Sequence, residues 1–397
     1  MRLVHLADLH LGYRQFQRLT SAGINQREAD VAAVFRSVID KIIALRPDLI
    51  CLAGDVFHNV RPPNPAILEA FSQFSRLVQS LPDAIVIMVA GNHDTPRATD
   101  SVCILRLFSQ LSANVHVIDT VPRSIPFPDL GLSVLAVPWS PGRAPALNPE
   151  PAFQHNVLVY HGEMVGVTPT WDPERAALQI SPEDVHAERW SYAALGHHHV
   201  FHQIAPNACF SGAIDYTSLN IWGEQPEERT AGVRGKVLIE YDLDSRKLTR
   251  HTIKPARGLV DLPAVKASGM TASDADAAIR HNVDHCAGGI EGKIVRQIVR
   301  DIPRHIAREL DYKALREFQR RALHFQLDAR RPEIPRELSS GSPGRRPTLT
   351  DVVRDKLRSR ILPPDIDRDA LVALGLHYLG EADSAENAAL ATTTESE

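Results

Sequence analysis

The sequence predicts an α/β fold in which the early strands are joined by helical crossovers. Short apolar runs recur through the first half of the chain, and helix-length patterns separate the first three of them. The runs are RLVHLA, DLICLAG, AIVIMVAG, LSVLAVP, NVLVYHG and SYAALGH. Such alternation is typical of a sheet whose neighbouring strands are connected through helices. Farther along, GKVLIEYDL and KLTRHTIK predict a hairpin that closes the sheet, with Asp244 and Ser245 at its turn.

Two amphipathic helices are predicted between the first three strands. In the first, apolar residues recur at i, i+3, i+4 spacing at Val31, Val34, Phe35, Val38, Ile42 and Leu45. Asn25 and Glu28 are spaced as a capping box at its start. In the second, NPAILEAFSQFSRLVQSL shows the same period. The chain therefore begins strand, helix, strand, helix, strand.

Composition is that of an ordinary globular protein. Hydrophobic residues make up 44% of the 397 residues, which allows a large core. The net charge of −4 counts against a purely electrostatic nucleic-acid binder, although it says little about an enzyme whose metal ions bring local positive charge. Cys51, Cys103, Cys209 and Cys286 are scattered without a C-x-x-C pair, so we expect free thiols in a reducing compartment.

Neither export nor membrane insertion is expected. The first residues, MRLVHLADLHLG, contain no sustained apolar stretch of the kind that a signal peptide needs. The best apolar run, AIVIMVAG, is far too short to span a bilayer. We therefore expect a cytoplasmic protein with no membrane partner.

A domain boundary is predicted near Ala256, so that residues 1–256 form the first domain. Residues 257–336 read as a strand, helices and another strand, with DYKALREFQRRALHF as an amphipathic helix. This segment carries twelve arginines and three lysines against eleven acids, so it is basic on an otherwise acidic chain. We predict a second, smaller domain here.

Three further segments are predicted after the second domain. Residues 337–347 are rich in Ser, Gly, Pro and Arg and predict a linker. Residues 348–380 predict two helices, one with Val353, Leu357 and Ile361 on a single stripe and one formed by DRDALVALGLHYL. Residues 381–397 carry five acids and no base, which predicts a disordered tail.

Residues with metal-binding and catalytic chemistry follow the predicted strands. They are Asp8 and His10 after the first strand, Asp55 and His58 after the second, Asn92, His93 and Asp94 after the third, His161 after a later strand, and His197, His198, His199 and His202 after the last. Ligands of open α/β sheets gather beyond the carboxyl ends of the strands. We therefore expect one shared site.

The residue types predict a pair of divalent cations. Asp, His and Asn supply oxygen and nitrogen donors, and the absence of a nearby cysteine argues against a structural zinc. One carboxylate can bridge two ions roughly 3.5–4 Å apart, as two-metal phosphoesterases require. If the backbone after the first strand stays extended, Asp8 and His10 point the same way. By the same reasoning His197 and His199 face the site, and His198 packs or faces solvent. His202 lies farther along the chain and is expected at the surface or behind the metal ligands.

The chain contains, in order, the motifs D-x-H, G-D-x-x-H, G-N-H-D, Y-H-G and G-H-x-H. This series resembles the motifs of the calcineurin-like metallophosphoesterase superfamily. HLADLHLGY, GDVFHNVRP and AGNHD look like its DNA-nuclease branch, which contains the SbcD subunit of bacterial SbcCD and its relative Mre-eleven. The second motif has His58 where protein phosphatases usually show G-D-x-x-D-R-G, which counts against that branch. The resemblance covers about the first 335 residues. It implies a metallophosphoesterase β-sandwich flanked by helices, a smaller α/β capping domain that contacts DNA, and a C-terminal helical extension.

The resemblance also implies the metal ligands. One ion would be held by Asp8, His10, Asp55 and His199, and the second by Asp55, Asn92, His161 and His197. Manganese is the ion that the family favours, although the nitrogen and oxygen donors by themselves do not exclude Mg²⁺, Fe²⁺ or Zn²⁺.

Three further residues receive roles from the resemblance. His93 would be a non-ligand acid that stabilises the transition state or protonates the leaving oxygen. Asp94 would orient His93, with capping of a helix at TPRATD as the equal alternative. His58 would position the scissile phosphate, with simple packing as the alternative.

The function implied is a metal-dependent DNA exonuclease and endonuclease in DNA repair. It would be the nuclease subunit of an SbcCD-type complex, with DNA, an SbcC/Rad-type ATPase and a second copy of itself as partners, nucleoid-associated during repair. The last two helices would dock on the ATPase or fold back on the core. The alternatives are a standalone phosphodiesterase or phosphatase on nucleotides or small phosphoesters, and a scaffold whose metal site is vestigial.

Overall fold

A computed structural model describes residues 1–96, 101–140, 146–167, 179–332, 348–359 and 367–393. The chain separates into two compact units, residues 1–332 and residues 333–397. In the described residues, the first unit contains three β-sheets and the second contains two helices. Within the described ranges no helix is long and apolar enough to cross a membrane.

The first sheet contains six strands in the order β12-β11-β1-β2-β3-β4. Its strands are β1 (Arg2–Leu6), β2 (Leu49–Ala53), β3 (Ile85–Val89), β4 (Val115–Ile118), β11 (Lys236–Asp242) and β12 (Lys247–Ile253). β1 to β4 are parallel, and the connections contain α1 (Gln26–Leu45), α2 (Asn64–Ser80) and a 3₁₀-helix (Ile104–Gln110). β11 and β12 form the predicted antiparallel hairpin. The helical crossovers and the hairpin are thus confirmed.

The second sheet also contains six strands, in the order β5-β6-β7-β8-β10-β9. They are β5 (Arg123–Phe127), β6 (Leu132–Val137), β7 (His155–His161), β8 (Tyr192–Gly196), β9 (His202–Ala205) and β10 (Ala208–Phe210). One buried cluster joins both sheets: it contains Cys51 and Ile87 from the first, and Val134 and Val157 from the second. The sheets therefore pack face to face, and α1 and α2 cover the outer face of the first through a separate core. The mixed α/β class with sheets flanked by helices is confirmed.

The start of α1 differs in detail from the capping box that its sequence predicts. The Asn25 side chain accepts a hydrogen bond from the backbone N–H of Arg27, so Asn25 is the N-cap as expected. Glu28, however, accepts from the Arg14 guanidinium, at 2.6 Å. A charged partner from the preceding loop forms a stronger bond than the backbone N–H would.

The third sheet is built from residues of the predicted second domain. It contains parallel strands β13 (Leu259–Lys266), β14 (Ile294–Arg300) and β15 (His324–Ala329). Short helices α3 (Pro182–Val185) and α4 (Ile221–Thr230) precede it in the chain, and α5 (Ala272–Asp284), α6 (Arg304–Glu309) and α7 (Tyr312–Arg321) connect its strands. The middle strand was not predicted, and α7 ends before the strand that begins at His324. The sheet and helices share their own buried core. The boundary at residue 256 stays a prediction.

The second unit contains α8 (Leu349–Ser359) and α9 (Arg368–Thr393). Leu357 approaches Gly375 so closely that a Cβ there would collide with it, so the two helices pack together through a glycine. The predicted linker at 337–347 and Ile361 lie outside the described residues. α9 continues to residue 393, into the segment for which composition predicts disorder. That segment is rich in alanine, the residue with the highest helix propensity.

Candidate metal centre

The predicted site residues meet where strands of both sheets end. Their ligand atoms form three groups, in each of which all atoms lie within 4.8 Å of one another. The groups are Asp8, His10 and His199; Asp55, His161 and His197; and His10, His58 and His93. The packing of two sheets thus brings together residues nearly 200 positions apart in the chain.

The backbone that presents Asp8 and His10 is not extended, contrary to the expectation from sequence. β1 ends at Leu6, and both residues have positive φ, 53° for Asp8 and 47° for His10. Their N–H groups donate to the carbonyls of Gly54 and Asp55, each at 3.0 Å. Hydrogen bonds to the neighbouring loop therefore hold the two side chains in the site, and the strained backbone is typical of functional positions.

Asp55 lies between the first two groups. Its Oδ2 is 3.8 Å from His10 Nε2 and 3.5 Å from His161 Nε2, while its Oδ1 accepts from the backbone N–H of His93 at 2.8 Å. A Cβ on Gly91 would collide with the Asp55 carboxylate. The glycine of the third motif therefore makes room for the carboxylate of the second.

His10 and His199 face each other through Nε2 atoms that are 3.0 Å apart. Nitrogen ligands lie about 2.1 Å from a transition metal, so two of them at right angles are separated by roughly 3 Å. Asp8 lies beside them and accepts from the backbone N–H of His197, at 3.1 Å and 3.2 Å to its two oxygens. The donor set and the spacing in this group fit a divalent ion.

The second group supplies an independent test of fit. His161 Nδ1 donates to the carbonyl of Ala53 at 2.7 Å, so Nε2 is the free ring nitrogen of the neutral imidazole. Nε2 lies 3.1 Å from Asn92 Oδ1, which also lies 2.9 Å from His197 Nδ1. Burial lowers the pKa of His161 to about 4, so Nε2 carries no proton at neutral pH. His161 Nε2 and Asn92 Oδ1 are thus two acceptors at a distance that fits a cation between them. The hydrogen bond from Nδ1 to the Ala53 carbonyl is the usual contact that orients a metal-bound histidine.

Burial of so many ionisable groups favours bound cations. Burial first, and the charge of Asp55 second, raises the pKa of Asp8 well above its usual value. Burial likewise raises the pKa of Asp55. Burial lowers the pKa of His10 and His199 well below the usual range. A metal ion beside these groups favours the ionised carboxylates and the neutral histidines that ligation needs.

His93 and His58 lie against the first group. His93 Nδ1 donates to the backbone carbonyl of His58 at 2.7 Å, and the two rings stack with centroids 5.2 Å apart. His58 Nδ1 lies 3.3 Å from His10 Nδ1, so one of these nitrogens donates to the other. Burial, and then the charge of His93, lowers the pKa of His58 to about 4. His58 is therefore neutral at physiological pH and contacts both a candidate ligand and the candidate acid.

Residues 1–201, half of the chain, match the sequence profile of the calcineurin-like phosphoesterases. The chain belongs to the calcineurin-like phosphoesterase family. This family uses a dinuclear metal centre, and the Asp and His clusters of this phosphoesterase fit one.

Curated relatives of the phosphoesterase include archaeal DNA double-strand break repair proteins Mre11. The protein of Methanocaldococcus jannaschii is 39% identical over 97 residues, about a quarter of either chain. The protein of Sulfolobus acidocaldarius is 26% identical over 204 residues, half of either chain. The chain thus matches a quarter to a half of the length of these relatives. The predicted resemblance to the DNA-nuclease branch is confirmed at this level.

The Asp94 carboxylate of this phosphoesterase binds backbone N–H groups instead of the His93 imidazole, the partner that one of its two predicted roles requires. The carboxylate is fully buried and accepts from the backbone N–H groups of Val56, Phe57 and Gly91, at 2.9–3.1 Å. His93 Nδ1 is already bonded to a carbonyl. Asp94 therefore ties the loop after β2 to the loop after β3. Part of the helix proposed as its alternative partner, at 97–100, lies outside the described residues.

The histidine-rich segment does not have the extended backbone on which its predicted division was based. β8 ends at Gly196, and His197 has a positive φ of 113°, so the segment bends instead of continuing as a strand. His197 and His199 reach the metal groups, whereas His198 Nε2 lies 3.4 Å from Glu227 Oε2, outside them. His202 begins β9 and packs near His198.

Two aromatic residues after the first motif pack against histidines: Tyr13 is buried with its ring against His58, and Phe16 stacks on His324. Lys236 was missed: its Nζ donates to the backbone carbonyl of His199 at 3.1 Å. A single lysine before an apolar strand gives no signal of this contact in the sequence.

Proposed function

We propose that this chain is a metal-dependent DNA nuclease that hydrolyses phosphodiester bonds, with exonuclease and endonuclease activity in DNA repair. The observation that carries the proposal is the pair of Asp/His groups on either side of Asp55, with His93 beside them. Family membership supports a phosphoester hydrolase. Similarity to archaeal double-strand break repair proteins supports DNA as the substrate.

Seven residues would hold the two ions. The first set is Asp8, His10, Asp55 and His199, and the second is Asp55, Asn92, His161 and His197. When bound, a divalent pair supplies the positive charge that attracts phosphate and lowers the pKa of a water molecule. Manganese is the proposed native ion, because the DNA-nuclease branch that the motifs resemble favours it.

His93 would act as the general acid at Nε2. Because Nδ1 is committed to the His58 carbonyl, Nε2 is the atom at which His93 can take up and release a proton. His58 would position the scissile phosphate as a neutral hydrogen-bonding group, because burial holds its pKa at about 4. Its contact with His10 Nδ1 would at the same time orient a metal ligand.

A homodimer is proposed through α2 and the 3₁₀-helix at Ile104–Gln110. Leu68 and Phe71 on α2, and Val102 and Leu107 at the 3₁₀-helix, are exposed although they are large and apolar. Apolar surface of this kind marks interaction sites. In the resembled branch, subunits pair through helices near the second and third motifs, which makes these two segments candidates, with ordinary core packing as the alternative for their apolar residues.

Helices α8 and α9 would dock on an SbcC/Rad-type ATPase. Val352, Leu374 and Tyr378 are exposed apolar side chains on these two helices. A helix lays such a face into an apolar groove of its partner. The cytoplasmic, nucleoid-associated location and the absence of a membrane partner stay predictions.

A nuclease assay on linear duplex DNA tests the proposal. We expect degradation with Mn²⁺, none with chelator, and stimulation by the ATPase partner and ATP; a parallel series contains Mg²⁺. His93→Leu should remove activity without unfolding the chain. Hydrolysis of small phosphodiesters with DNA left intact would keep the metal site and favour the standalone phosphodiesterase instead.

A further inference from the structure

His199 differs from the other candidate ligands in how its ring is oriented. A metal-bound histidine usually donates its second ring N–H to a carboxylate, a carbonyl or water, which fixes the ring. His161 donates to Ala53, and His10 contacts His58 through the corresponding nitrogen. The Nδ1 of His199 is buried, and among the described residues it has no hydrogen-bond partner. Among the described residues, therefore, no hydrogen bond from Nδ1 orients this ring.

The backbone carbonyl of His199 is held by two donors. The N–H of Ala213 donates to it at 3.0 Å, and Lys236 Nζ donates to it at 3.1 Å. Lys236 lies at the start of β11, with only 2% of its surface exposed. A buried ammonium that reaches this carbonyl fixes the backbone from which the imidazole projects.

Buried partners hold Lys236 in this place. Its Nζ pairs with Glu224 and lies 3.3 Å from Glu228 Oε1, and both acids lie on α4, one turn apart. The Tyr216 ring lies 4.5 Å from the ammonium. Two carboxylates thus oppose one lysine, and the hydrogen bond that Lys236 makes to a candidate ligand goes to His199. A buried cation costs several kcal/mol in solvation, and its partners must offset this cost.

We propose that Lys236 is a positioning residue of the metal centre, which sets the direction of the His199 imidazole through the backbone carbonyl of His199. Loss of the ammonium leaves Ala213 as the one remaining described donor to this carbonyl, which loosens the backbone that carries the ring, so the ion held with Asp8 and His10 binds more weakly. The second group, built on His161 and Asn92, is oriented independently and keeps its affinity. This inference rests on the proposed ligand role of His199.

Manganese binding, measured by calorimetry and by electron paramagnetic resonance, tests this role without a nuclease assay. Lys236→Met alone leaves Glu224 and Glu228 buried without a cation, which threatens folding. The main variant is therefore the triple change Lys236→Met/Glu224→Gln/Glu228→Gln, which removes the charges together. We expect one of two Mn²⁺ ions to bind about ten- to a hundredfold more weakly, the usual effect of removing an orienting partner, with a coupled two-ion spectrum replaced by a single-ion one.

A matched control comes from the other buried cation of this region. Arg27 is fully buried, pairs with Asp215 and donates to the carbonyl of Tyr216, which is not a candidate ligand. Arg27→Met/Asp215→Asn should lower stability and leave both Mn²⁺ affinities unchanged. If this control lost as much Mn²⁺ affinity as the triple variant, the proposal would be overturned, because removing a buried cation that does not contact a ligand would then have the same effect.

His199→Ala separates this inference from the proposed function. If His199→Ala binds one ion weakly while the folded triple variant binds both as tightly as wild type, Lys236 has no positioning role. If His199→Ala itself binds both ions with wild-type affinity, the ligand assignment fails, and with it the inference. Parallel loss in His199→Ala and the triple variant, with the Arg27 control intact, supports the proposal.

Discussion

Replacing Asp94 distinguishes a carboxylate that ties two loops together from one that acts on His93. In Asp94→Ala, the N–H groups of Val56, Phe57 and Gly91 lose their acceptor inside the protein. An unsatisfied buried donor costs about 1–3 kcal/mol, so three of them should cost roughly 3–6 kcal/mol after partial relaxation. In Asp94→Asn one oxygen remains and can serve two of the three donors, so the expected cost falls to about 1–3 kcal/mol.

The assay is urea unfolding followed by circular dichroism, with Mn²⁺ absent, so that stability is measured apart from activity. A total stability of about 5–15 kcal/mol makes both losses measurable. His93→Leu is the control, because it should lose activity while losing only the roughly 0.5–1.5 kcal/mol of its hydrogen bond to the His58 carbonyl. If Asp94→Asn were as stable as wild type to within about 0.5 kcal/mol yet inactive, the reasoning would be refuted, and the carboxylate would have to act on His93 after all.

Two further predictions concern pH and a glycine of the second motif. Burial lowers the pKa of His5 to about 3, so the unfolded chain binds a proton there below pH 6.5 that the folded protein does not. His5 therefore contributes stability above pH 6.5 that is lost as pH falls toward 3. Between pH 7.5 and 5.5, in chelator, the free energy of unfolding of wild type should fall by about 1.4 kcal/mol more than that of His5→Asn. Equal pH dependence of the two proteins in urea titrations would contradict this. Gly54 has a φ of +89°, and a Cβ there would collide with the His161 ring, so Gly54→Ala should weaken Mn²⁺ binding at least tenfold in calorimetry. Gly131→Ala, with a φ of +59° but no atom nearer than 3.6 Å, is the matched control and should bind Mn²⁺ normally.

Local patterns in the sequence determined the elements and most of the candidate site. The early strands are continuous apolar runs because both of their faces are buried, and the helices between them show a clear 3.6-residue period. The five motifs could be read in order because each follows its strand directly. Asn25 could be predicted as a cap because the contact that it makes lies two residues away.

Contacts between distant segments were decided only by the tertiary structure. β14 was missed because its short run, IVRQIVR, forms a strand by pairing with two parallel neighbours that are distant in the sequence. Glu28 was predicted to accept a backbone hydrogen bond, but in the structure it accepts one from the Arg14 guanidinium of the preceding loop. Neither neighbour is visible in the local pattern.

The same reason explains the roles inside the site. The sequence placed Asp94 beside His93, but three backbone donors from two loops surround its carboxylate in the folded chain. Lys236 gave no signal, because its partner is a backbone carbonyl 37 residues away. Residue type and order determined which chemistry this chain carries. The packing of the two sheets decided which buried polar groups form hydrogen bonds with each other, because these pairings depend on distance and burial across the whole fold.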